Sequence, residues 1–116
     1  MSKPVALLIT GDFHTNSKVS LCPADGAALD DGDFYIPNAA QKDLYQFWID
    51  QFLPWVKACS RGHRLIFDHG GDGIDGAGHH GSLQTFGTDD DAENLHVEML
   101  EPLINMVDEI IYMRGS

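Results

Sequence analysis

At 116 residues the chain is long enough for one domain that buries about two-thirds of its unfolded surface, and for no more. Seven Lys and Arg against eighteen Asp and Glu give a formal charge of -11. That balance excludes a protein holding phosphate backbones by its own positive field, so any phosphate chemistry here needs bound cations.

Met1-Ser-Lys-Pro4 leads straight into a five-residue apolar run, too short for a signal-peptide core and far from the roughly 20 residues of a membrane span. The expectation is a soluble, cytoplasmic protein. Cys22 and Cys59 form no C-x-x-C pair, which points away from a disulfide framework and from a thiolate zinc site. Both read as reduced thiols, Cys59 as part of the core.

Residues 4–10 are continuously apolar and end at Gly11, the pattern of a central parallel strand buried on both faces. Asp12-Phe13-His14 follows at once. Residues 15–37 carry Pro23, Gly26, Gly32 and Pro37 among aspartates and read as a long loop, of the kind that is functional or mobile when a domain keeps one. Asn38 predicts an N-cap for a helix over 39–60, with Leu44, Phe47, Trp48, Phe52, Trp55, Val56 and Cys59 at three- and four-residue spacings. Pro54 should kink or split it. Such an aromatic stripe could stack on a nucleobase, but at helical spacing it reads as core.

The second strand covers 63–69 and runs into Gly70-Gly71-Asp72-Gly73-Ile74-Asp75-Gly76. Glycines there deliver two carboxylates just past a strand end, where a sheet presents metal ligands. The loop that follows carries the adjacent pair His79 and His80. Thr88 with Asp91 predicts a capped helix whose apolar face is Ala92, Leu95, Met99, Leu103 and Met106, with a kink at Pro102. Asp89 to Asp91 are accounted for by the positive end of that helix rather than by calcium. Residues 109–113 read as a third strand. The element order predicts an α/β fold, three parallel strands joined by right-handed helical crossovers. His63, His69 and His96 read as structural.

In open α/β sheets ligands gather beyond the carboxyl ends of the strands. Asp12, His14 and Asp72 would meet there if strands one and two are neighbours. Asp12 and His14, two apart in an extended segment, share a face. Two carboxylates and an imidazole make an O/N donor set suited to manganese, iron or zinc.

The set Gly11-Asp12-Phe13-His14, Gly71-Asp72-Gly73-Ile74-Asp75-Gly76 and Arg114-Gly115 after a strand resembles the opening motifs of calcineurin-like metallophosphoesterases, D-x-H, G-D-x-x-D and the start of G-N-H-[DE]. His79-His80 and the Arg-Gly pair are similar to a phage and bacterial branch of that superfamily. The resemblance implies the N-terminal β-α-β-α-β half of an α/β/β/α sandwich. It further implies a hydrolase, acting as phosphatase or phosphodiesterase, with a dinuclear site. Asp12 and His14 would bind the first cation and Asp72 would bridge both. Asp75 would orient a ligand or loop amide, and His79 and His80 would serve substrate or leaving group. Ser116 falls where the third motif has Asn, so the second metal site is incomplete within these residues and the expectation is the first part of a longer enzyme. The competing reading is a non-catalytic metal-binding or interaction module that keeps a mononuclear remnant. Expected partners are a phosphate ester, nucleic acid as substrate only, and a second copy of the chain at the open sheet edge beside the third strand.

Overall fold

The computed structural model describes residues 3–11, 13–18, 20–71 and 87–112. Three parallel strands, β1 (Val5–Thr10), β4 (Arg64–His69) and β5 (Glu109–Tyr112), form one sheet in the order β1-β4-β5. β1 pairs with β4 from Val5↔Arg64 through Thr10↔His69, and β5 pairs with β4 from Glu109↔Ile66 through Tyr112↔His69. The mixed α/β class and the parallel sheet follow the expectation from sequence.

The strand order decides which side of the sheet is covered. Each crossover steps one strand in the same direction, and right-handed crossovers that step the same way lay their helices on the same face. Leu65 and Phe67 of β4 are accordingly buried with Leu53, Val56, Leu95, Met99 and Leu103 from the helices, and Ala6 and Leu8 pack against them. On the opposite face Val5, Leu7 and Ile9 are 58, 55 and 66% exposed and Ile111 of β5 is also exposed, while Ile66 and Asp68 of the middle strand are half-buried. The reading of 4–10 as a central strand is therefore corrected. Among the described residues β1 is an edge strand, and its continuous apolar run covers one packed face and one exposed one.

The segment 15–37 is not wholly irregular. β2 (Ala27–Ala28) and β3 (Phe34–Tyr35) form a short antiparallel pair. Buried Gln41 fastens this segment down, accepting from the Tyr35 hydroxyl at 2.6 Å and donating to the carbonyls of Ser17 and Ser20 at 3.3 and 3.1 Å. A fully satisfied buried amide of this kind is costly to replace, because the carbonyls it serves would be left dry.

Between β3 and β4 the chain forms α1 (Ala39–Phe47), a π-helical turn (Trp48–Phe52) and α2 (Leu53–Cys59). Asn38 and Gln41 make a reciprocal capping box at the start. In the π turn the Leu53 N–H reaches back five residues to the Trp48 carbonyl, immediately before Pro54, which has no N–H to give. The extra residue resets the helical phase. Buried positions upstream are Gln41 and Trp48, and downstream they are Leu53 and Val56, so the predicted stripe does not continue across the turn. Leu44, Phe47, Trp55 and Cys59 are exposed, which corrects their assignment to the core. Cys22, by contrast, is fully buried, and burial with the charge of Glu98 pushes its thiol up to about 11.

Helix α3 (Asp89–Ile104) starts on the predicted Thr88–Asp91 capping box and runs through Pro102 in its last turns. Asp91 is buried, which opposes its ionised form. The hydrogen bonds it accepts from Thr88 and from the Asp30 amide outweigh this and hold its carboxyl below the usual range. No helix among the described residues is long and apolar enough to cross a membrane.

The asymmetry of the sheet is testable by urea denaturation. Phe67→Ala, at a position only 1% exposed, is expected to cost about 3–5 kcal/mol. Leu7→Ser on the open face is expected to stay within about 0.5 kcal/mol. A large loss from Leu7→Ser would mean that the open face is covered in solution.

Candidate functional site

The ends of β1 and β4 lie together. The pairing runs to Thr10↔His69, and the Gly70 N–H then donates to the Thr10 carbonyl at 2.6 Å. A Cβ on Gly70 would collide with that oxygen, so only glycine lets the two backbones touch at this rim. Gly71 follows with φ +98°, a left-handed turn away from the strand. The chain thus leaves β1 through Gly11 and leaves β4 through Gly70 and Gly71 side by side.

Of the residues predicted for the site, only His14 is described. Asp12, Asp72, Asp75, His79 and His80 lie outside the described residues, as does Arg114-Gly115-Ser116. Among the described residues no group of three or more His, Cys, Asp or Glu side chains is gathered as a metal cluster. His14 is half-buried with φ +47°, and Asn16 has φ +90°. Two non-glycine residues in left-handed conformations within three positions mean that the segment turns rather than extends. Asp12 lies outside the described residues, so whether it shares a face with His14 is not shown. Strain of this kind persists only where surroundings over-determine it, and it concentrates at functional sites.

The surroundings are specific. The Asn16 amide donates to the Gly87 carbonyl at 2.9 Å and accepts from the Gly87 N–H at 2.8 Å, locking the segment to the entry of α3. Beside it runs a buried chain of hydrogen bonds. The Gly71 N–H donates to His69 Nδ1 at 3.2 Å, His69 Nε2 faces His96 Nε2 at 3.0 Å, and His96 Nδ1 meets the Thr15 hydroxyl at 2.8 Å. A peptide N–H can only donate, so for neutral rings the whole chain is fixed: His69 carries its proton on Nε2 and gives it to His96, which carries its own on Nδ1 toward Thr15. A second proton would set two N–H groups against each other.

Burial lowers the pKa of His69, and burial with the nearby His69 ring lowers that of His96 to about 4. Phe13 packs on both rings, with centroids 5.2 Å from His69 and 5.4 Å from His96. Phe13 and Thr15 flank His14, so the imidazole pair sets where the His14 segment sits.

The sequence reads His69 and His96 as structural but does not show that they touch. They are separated by 27 positions, and Thr15 lies 81 from His96. The available signal was register. His69 alternates with Leu65 and Phe67 on the packed face of β4, and His96 sits one turn beyond Ala92 on the buried face of α3.

No family model, curated protein or solved structure matches the chain.

The imidazole pair predicts a pH dependence. His96 titrates lower in the fold than its ordinary value of 6.5, so its contribution to stability is complete above that value and is lost as pH falls toward about 4. Between pH 7.5 and pH 5 the urea-derived stability is expected to drop by about 2 kcal/mol more in the parent chain than in His96→Gln. Equal slopes for the two proteins would remove the buried, neutral assignment.

Proposed function

We propose that this chain carries the first metal-binding motifs of a calcineurin-like metallophosphoesterase and acts in the hydrolysis of a phosphate ester. The observation that supports the reading best is the parallel pairing of β1 with β4, whose glycine ends lie in contact at one rim. The residues immediately after those glycines include Asp12, His14 and Asp72. In this reading Asp12 and His14 hold one divalent cation, manganese, iron or zinc, and Asp72 bridges to a second. When bound, such cations polarise the phosphoryl group and lower the pKa of water. Asp75 orients a ligand or loop amide, while His79 and His80 contact the ester or its leaving oxygen. Cations are also what allows a chain of charge -11 to hold a phosphate at all.

The exposed apolar residues on the second face of the sheet agree with this reading. Val5, Leu7, Ile9 and Ile111 form an apolar surface of the sort that one half of an α/β/β/α sandwich turns toward its second sheet. The β5 edge is where a second copy of the chain would associate.

Two measurements test the proposal. At a Mn2+ concentration a hundredfold above its dissociation constant, the chain is expected to gain about 2.7 kcal/mol in urea stability, and Asp72→Asn is expected to lose most of that gain. Mn2+-dependent hydrolysis of bis(p-nitrophenyl) phosphate is expected to be weak, because the second metal site is incomplete within these residues, and to be lost in Asp72→Asn. Metal-dependent stabilisation without turnover would identify a metal-binding module, and the absence of both would sink the reading.

A further inference from the structure

The outer edge of β1 is open among the described residues. The Arg64 N–H donates to the Pro4 carbonyl at 2.8 Å, and the Gly70 N–H donates to the Thr10 carbonyl at 2.6 Å. Backbone groups along a strand alternate sides, so residues 4, 6, 8 and 10 spend theirs on β4. Val5, Leu7 and Ile9 turn their N–H and C=O groups the other way, where no described strand lies. The same three are the most exposed residues of the strand.

Proteins blunt an open edge with a charge, a proline or a bulge. β1 has none of these. Residues 5–10 carry no charged side chain and no proline, and their pairing with β4 runs one for one. The β5 edge is guarded by comparison. There the Asp108 N–H donates inward to the Leu65 carbonyl at 2.9 Å, so Glu109 and Ile111 are the outward-turned residues, and Glu109 brings a carboxylate. A cleft of about 80 Å³ touches Ala6, Leu7 and Leu8 together with Trp55 and Cys59 of α2. Consecutive strand residues point to opposite faces, so this apolar cleft wraps around the outer edge of β1, with exposed Trp55 beside it.

We infer that a second copy of the chain adds to this edge, β1 against β1, antiparallel about a two-fold axis through Leu7. Two-fold association needs a surface that matches itself. Here the outward backbone groups fix the register. Leu7 opposes Leu7 of the partner subunit and Val5 opposes Ile9 of the partner subunit, each pair exchanging both N–H···O bonds. Opposed residues share a face, so Val5, Leu7 and Ile9 meet their counterparts on the exposed side, and Ala6 meets Leu8 of the partner subunit on the helix side. Every pair is apolar. That property selects the occupant, because copies of charge -11 repel wherever acidic surfaces meet and approach closely only where charge is absent. The product is one continuous sheet with the helices of both copies on the same side. The contact is narrow, so the chain is monomeric in a dilute denaturation experiment and pairs as it is concentrated. The inference is independent of the phosphoesterase reading and places the contact at β1 rather than β5.

Amide hydrogen exchange on the full chain tests it. Between about 10 µM and about 1 mM chain, the Val5, Leu7 and Ile9 amides are expected to slow at least about tenfold. The Ala6 and Leu8 amides, bonded within the sheet, stay protected at both concentrations, and the Ile111 amide at the other edge does not change. In sedimentation, Leu7→Glu sets two carboxylates across the axis and is expected to abolish the dimer, whereas Ile111→Glu leaves it intact. An unchanged Leu7 amide, a parent chain that stays monomeric, or a dimer that survives Leu7→Glu would each overturn the inference. Loss of the dimer in Ile111→Glu alone would move the contact to β5 and overturn it equally. The exchange measurement needs no variant, so it decides even where Leu7→Glu does not fold.

Discussion

The parallel pairing of β1 with β4 is the constraint from which the rest follows. Its register ends both strands at the same level, and Gly70 lets the Gly70 amide reach the Thr10 carbonyl without a side chain between the backbones. A one-residue slip would turn Phe67 and His69 out of the packed face and put Ile66 and Asp68 in their place. It would also separate the two glycine corners. Packing and site geometry therefore share one determinant, the same register that buries the core.

The second organising feature is the way α3 is tied to both strand ends. Its contact with the sheet is not purely apolar, since His96 reaches His69 on β4 and Thr15 beyond β1. A buried neutral imidazole pair gives less apolar burial than two leucines would, but its hydrogen bonds are directional and fix orientation. With the Asn16–Gly87 clamp, it holds residues 13–17 in a turned conformation that the isolated segment would not keep. The three aromatic rings that meet there, Phe13, Trp48 and Phe52, link this polar tie to the π turn on the helix side.

Local signals in the chain were read correctly where the physics is local. Asn38 with Gln41 and Thr88 with Asp91 are capping boxes because hydroxyl, amide and carboxyl groups three residues apart satisfy the amides of a first helical turn. Glycines after apolar runs marked the ends of β1 and β4. Failures occurred where the outcome depends on something distant. The π turn was hidden because Pro54 announces a break but not its form, and a single added residue rotates everything after it. Trp55 and Cys59 consequently face outward while Leu53 faces in. β1 reads as a central strand in the sequence because an unbroken apolar run looks the same whether its second face meets helices, another layer or nothing.

What the order of residues settled unaided is the kind of the main helices and of the three parallel strands, the residues that start the helices, and the chemical character of the groups at their ends, since these depend on neighbours within one turn or one strand. What only the folded chain decided is which face of the sheet is covered, which aromatic rings are buried, and that His69, His96 and Thr15 meet. Those depend on strand order, crossover hand and helical phase, which join residues far apart in sequence and leave no mark in any single stretch of it.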